Sequence, residues 1–138
     1  MRESGWRVKS NVEHACGGAA AEPFCEVLRA DPSHAQAQFN LGILLLELGQ
    51  IKESIRWLTE ALSRQPKQPS THYCLGMALY RAGELAKARA SLEQAMSLDP
   101  RFAAAYEELA KVQESLGPRA LAQETQSKAT VLNLNRSK

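Results

Sequence analysis

The chain has 138 residues, 44% of them hydrophobic and only 6% aromatic, which is one domain's length with an apolar set dominated by alanine and leucine and so inclined to helix over strand. Seventeen basic residues face fifteen acidic ones, too even a balance for a nucleic-acid surface. No apolar run exceeds five residues, far short of the ~20 residues a spanning helix needs, so no membrane partner is expected.

The basic excess sits at the ends, chiefly in Arg119, Lys128, Arg136 and Lys138, and reads as solvated tail. The N-terminal stretch has no apolar segment to act as a secretion signal. Cys16, Cys25 and Cys74 are an odd number without CxxC spacing. No disulfide framework is expected, and a reducing cytoplasm is the default location.

In chain order, residues 1–18 carry little apolar periodicity and are predicted to be disordered or weakly helical. Residues 19–34 predict a single helix. It starts near Glu22, because Pro23 is tolerable only in a first turn, and its packing places are Ala20, Phe24 and Val27. From residue 35 a period of 34 governs the chain. Leu41-Gly42 recurs as Leu75-Gly76 and as Leu109-Ala110; Gly49 recurs as Gly83 and Gly117; Ala61 recurs as Ala95 and Ala129. An internal period of this length marks stacked supersecondary units.

The units are 35–68, 69–102 and 103–136. The first predicts one helix over about 35–48 and a second over about 51–63. Gly49 stands between them where a left-handed residue is needed, since glycine has no Cβ penalty there. The second helix shows an inner stripe of Ile51, Ser54, Ile55, Leu58, Ala61 and Leu62, and Pro66 stops it. Gly42, Ser54 and Ala61 are small where helices must approach closely. The second unit repeats the pattern with Tyr73, Gly76, Leu79, Gly83, Ala88, Leu92 and Ala95. The third has Tyr106, Leu109, Val112, Gly117, Ala122 and Ala129, with Gly117-Pro118 as its sharp helix end.

This pattern resembles the tetratricopeptide repeat, most closely over QFNLGILLLELGQIKESIRWLTEALSRQP. Departures are Gln38, His72 and Tyr106 at the usual tryptophan place, Ala110 at the small eighth place and Leu134 for the terminal proline. They loosen the third unit, as suits a terminal cap. The resemblance implies an all-α fold, a right-handed α-solenoid of three helix-turn-helix repeats plus an orphan N-terminal helix, with the first helices lining a concave groove. It places Gln36, Phe39 and Ile43, then Tyr73, Met77, Tyr80 and Arg81, then Glu107 and Lys111 in that groove, with Asn40 beside them. Apolar members among these suit the apolar face of an amphipathic helix or an extended peptide, and Tyr and Met are adaptable contacts. Leu46 is expected to fill space between helices instead.

Some domains of this family clamp a terminal carboxylate of chaperone tails with Lys, Asn and Arg. Those places hold Phe39, Ile43, Cys74, Ala104 and Glu108 here, and moving the frame by one repeat recovers only Asn40. The bidentate basic donors that carboxylate recognition wants are missing, so no chaperone-tail binding is expected. His14, His34 and His72 are scattered. His14-x-Cys16 with Cys25 falls short of a four-ligand zinc site. Glu107 and Glu108, adjacent on a helix, read as solvated face. No phosphate loop, GxSxG or HExxH occurs, so neither an enzyme nor a cofactor is expected. The function expected is a protein–protein interaction module or adaptor. The alternatives are a scaffold that self-associates through its ends, at Val131, Leu132 and Leu134, and the substrate-recruiting part of a larger enzyme.

Overall fold

The computed structural model describes residues 21–117, 126 and 129–133. All regular structure among them is helical: α1 (Glu22–Ala30), α2 (Ala35–Glu47), α3 (Ile51–Arg64), α4 (Pro69–Arg81), α5 (Leu85–Leu98) and α6 (Ala103–Leu116). Residues 126 and 129–133 are helical as well. The chain divides into two compact units, residues 1–66 and 67–138.

In the first unit α2 and α3 form a tight pair and α1 packs on α2. The turn between α2 and α3 is a Schellman motif. The Gly49 N–H donates to Leu46 O at 3.1 Å and the Gln50 N–H to Leu45 O at 2.9 Å, with Gly49 at φ +82°. Only glycine takes that conformation at no steric cost. Where α2 crosses α3 the backbone itself is the packing surface. A Cβ on Gly42 would stand 2.8 Å from Leu58 Cγ and 2.9 Å from Cδ2, and the Ser54 hydroxyl donates to Gly42 O at 2.7 Å within the buried crossing.

The stripe expected on α3 is met at Ser54, Leu58 and Ala61, which are buried; Ile51, Ile55 and Leu62 are half-buried. The large side chain missing from that stripe is Trp57, which is 2% exposed and packs with Ala21, Cys25, Leu28, Ala37, Leu41 and Leu45. On α1 the expected face is one residue out of register. Val27 is exposed and Phe24 half-buried, whereas Ala21, Cys25 and Leu28 are buried. Among the described helices α1 packs chiefly against α2, and Trp57 of α3 joins that contact. The buried face of α1 is therefore the i, i+4, i+7 stripe that meets α2 and Trp57. Ala20 and residues 1–18 lie outside the described residues. Cys25 is disulfide-bonded, against the expectation from an odd cysteine count; its partner lies outside the described residues.

In the second unit α5 packs on both α4 and α6, and α4 lies beside α6. The α4–α5 turn repeats the Schellman geometry, with Gly83 at φ +82° and the Glu84 N–H donating to Leu79 O at 2.9 Å. The crossing repeats as well: a Cβ on Gly76 would meet Leu92 Cγ at 2.7 Å. The third glycine differs. Gly117 ends α6 in an extended conformation, φ −161° and ψ −152°. A Schellman turn needs an N–H from the residue after the glycine, and here that residue is Pro118, which has none.

Candidate functional site

The site residues expected from register fall in both units. In the first, Phe39, Asn40 and Ile43 are half-buried on α2 and Gln36 is exposed. Their i, i+3, i+4, i+7 spacing puts them on one side of the helix. Gln36 Nε2 donates to Asn40 Oδ1 at 3.1 Å, which holds two amides side by side at the start of that face. Leu46, expected to fill space, is 4% exposed.

Gln38, at the usual tryptophan place, points the other way. It is fully buried, and its Nε2 donates to Pro32 O at 2.7 Å while its Oε1 has no partner. It therefore latches the turn before α2 to the helix, at the expense of one unsatisfied acceptor. His34 caps that helix by accepting the Ala37 N–H on Nδ1 at 3.1 Å.

In the second unit Tyr73, Met77 and Tyr80 are half-buried along α4, at i, i+4, i+7, and Arg81 is exposed beside them. Across from them α6 contributes Glu107, half-buried, and Lys111, exposed. The helix pairing brings these together. The Tyr73 ring stacks obliquely on Phe102, with centroids 4.9 Å apart. Burial raises the Tyr73 phenol pKa, and the negative charges of Glu108, Cys74 and Glu107 raise it further.

Three participants were not among the expected site residues: Phe102, Glu108 and Asn133. The Glu108 carboxylate accepts from Lys111 Nζ at 3.0 Å and its side chain is only 17% exposed. That hydrogen bond, with the charge behind it, holds the Lys111 ammonium pKa above its ordinary value. Glu107 accepts from Asn133 Nδ2 at 2.9 Å. The two glutamates, expected to be plain solvated face, both bear on Tyr73 and are each tied to a neighbour. The i, i+3 spacing of Glu108 and Lys111 signalled one of these ties; nothing local signals Asn133. Cys74, next to Tyr73, is a free thiol that burial pushes up to about 11.

Among the described residues no three His, Cys, Asp or Glu side chains gather to hold a metal ion, and no helix is long and apolar enough to cross a membrane. Of the residues expected at a self-associating end, Val131 is 54% exposed and Leu132 half-buried; Leu134 lies outside the described residues. The arrangement offers apolar and aromatic surface with fixed hydrogen-bonding groups at its border, and no nucleophile–base pair among the residues placed there.

Comparison with known proteins agrees with the repeat architecture. Two tetratricopeptide repeat models match, one over residues 18–69 and one over residues 69–102. None of the curated proteins matches the chain. Among solved structures, a crystal structure of MamA is similar at 26% identity and TM-score 0.78, over 82% of this chain and 66% of that one. MamA from residue 41 to its end, from Desulfovibrio magneticus RS-1, is similar at 24% identity and TM-score 0.81, over 86% and 67%. The TPR2B domain of yeast Sti1, in its pHsp70 complex, is similar at 23% identity and TM-score 0.71, over 73% and 81%. The chain thus spans just under two thirds of the length of the MamA structure first compared.

Proposed function

The chain belongs to the tetratricopeptide repeat family and is a protein–protein interaction module of that type, and from this premise we propose that it takes a peptide or helix of a partner on the open face of a first helix, α2 in one unit or α4 in the other. No covalent chemistry is part of this reading. The observation that carries it is the face of α4. Tyr73, Met77 and Tyr80 are large, lie at helical spacing and stay only half-buried, whereas the equally apolar Leu75, Ala78 and Leu79 of the same helix are buried. Side chains of this kind, adaptable and rimmed by polar groups, are the anchors that peptide-in-groove recognition uses.

Related folds support the mode but not the ligand. The Sti1 domain is solved in a complex with pHsp70. Here Cys74, Ala104 and Glu108 occupy places where a carboxylate clamp wants amide or basic side chains. A carboxylate tail therefore has no bidentate donor to bind.

A pull-down from native lysate, repeated with Tyr73→Glu and with Met77→Glu, tests the proposal. Each change puts a charge into a face that a partner must desolvate, so the specific interactors are expected to drop out while circular dichroism stays that of the parent. An interactor set untouched by both substitutions rules out this face as the binding surface.

A further inference from the structure

Resting on that reading, we propose that the α4–α6 face of the second unit is built for an apolar segment that carries one cationic side chain, the Lys or Arg of the partner going to Glu107 beside the Tyr73 ring. Two carboxylates, Glu107 and Glu108, sit opposite the aromatic row of α4. Glu108 is compensated, since Lys111 Nζ stands 3.0 Å from its Oε1. Glu107 is not, since its hydrogen-bond donor is the neutral amide of Asn133 at 2.9 Å, and no ion pair reaches it among the described residues. The face therefore keeps one half-buried carboxylate without a cationic partner among the described residues. It also has a neighbouring π system, because the Tyr73 ring already stacks on Phe102.

A partner ammonium or guanidinium gains twice at this point. It makes a charge-assisted hydrogen bond to Glu107, and it lies against an aromatic face made favourable by desolvation. The rest of the segment covers Met77 and Tyr80, which follow Tyr73 along α4 by one and two turns. Burial is the main cause of the raised phenol pKa of Tyr73, and Glu108 and, least, Glu107 add to it, which places both carboxylates within electrostatic reach of the ring. Such a face discriminates against an acidic segment, which would bring like charge to Glu107 in a low-dielectric setting.

The test uses the full chain and three fluorescein-labelled amphipathic peptides of leucine and alanine. They differ only at one central position, which is Lys, Gln or Glu. Fluorescence anisotropy is expected to show the Lys peptide binding roughly tenfold to hundredfold more tightly than the Gln peptide, and the Glu peptide most weakly. Glu107→Gln is expected to erase the Lys-over-Gln preference and leave the Gln peptide's affinity in place. Equal binding of the three peptides overturns the cation assignment and leaves the docking reading standing. Binding of none of them, with Tyr73→Glu and Met77→Glu still losing their lysate interactors, also overturns it while keeping the face. If those two substitutions lose no interactor either, both readings fall.

Discussion

Replacing Gly76 by alanine adds one methyl group to the crossing of α4 and α5. The ideal Cβ would stand 2.7 Å from Leu92 Cγ and 3.0 Å from its Cδ2, against the ~3.5–4.0 Å of a relaxed carbon contact. The clashing Cγ is the branch point of a fully buried leucine, so no free chain end can swing aside and the helices have to part. Overpacking of this kind costs about 1–3 kcal/mol. Alanine recovers about 1 kcal/mol over glycine in a helix interior, so the net loss is about 1 kcal/mol. The sign depends on Leu92. Leu92→Ala alone costs about 2–5 kcal/mol, but it removes both clashing atoms and leaves Ala88 O at 3.4 Å as the nearest neighbour. In that background Gly76→Ala is expected to stabilise by about 1 kcal/mol, a coupling of about 2 kcal/mol. Urea unfolding followed by far-ultraviolet circular dichroism measures all four corners of the cycle. Gly83→Ala is the control. Its φ is +82° with nothing within 4 Å, so its loss of about 1 kcal/mol is conformational and stays the same with or without Leu92. A Gly76→Ala cost that is equal in both backgrounds, or a gain with Leu92 present, refutes the close-approach argument.

Three further outcomes are expected. With its thiol pushed up to about 11, Cys74 holds roughly a thousandth of its population as thiolate at pH 8, against about a quarter for an ordinary thiol. Its alkylation by iodoacetamide, followed by peptide mass mapping, should run about a hundredfold slower in the native protein than in urea, and rates within tenfold of each other contradict the burial. The same shift gives a sign for stability. Between the ordinary thiol pKa and about 11 the folded state keeps a proton that the unfolded state has lost, so stability falls as pH rises through that window, and Cys74→Ala removes this part of the slope. Ser54→Ala deletes the buried bond to Gly42 O while keeping the packing, as Ala88 does at the matching crossing, and should cost about 1 kcal/mol; an unchanged urea midpoint contradicts it.

Much of the scaffold was legible because one period of 34 carries both its turns and its crossings. Gly49 and Gly83 mark left-handed turns because the residue after each supplies the N–H that closes the motif. The same period misled at Gly117, where Pro118 removes that donor. It also misplaced the face of α1, which buries the stripe that meets α2 and Trp57. Trp57 escaped because its burial comes from α1 and α2 together, a three-helix arrangement that the pattern of α3 alone does not contain. The candidate site was legible as a set of positions and not as a set of charges. Tyr73 and Glu107 are one period apart and so fall side by side. That Glu108 takes Lys111 and leaves Glu107 to a neutral amide depends on Asn133, 26 residues further on.

The third repeat already carries a version of the Gly76 experiment. Gly42 meets Leu58 and Gly76 meets Leu92, both leucines being fully buried. One period on, the glycine's place holds Ala110 and the leucine's place holds Gln126. Ala110 is buried at 5% exposure, but Gln126 is exposed, so no leucine branch presses on the Ala110 methyl group. Glycine is present at the two crossings where a leucine fills the space and absent at the one where it does not. That is the pattern expected if steric room, rather than backbone flexibility, selects it. The face positions follow no such rule. Phe39, Tyr73 and Glu107 are the same place in three repeats and pass from aromatic to carboxylate. All three are only half-buried, so the packing demand on them is looser than at the crossings.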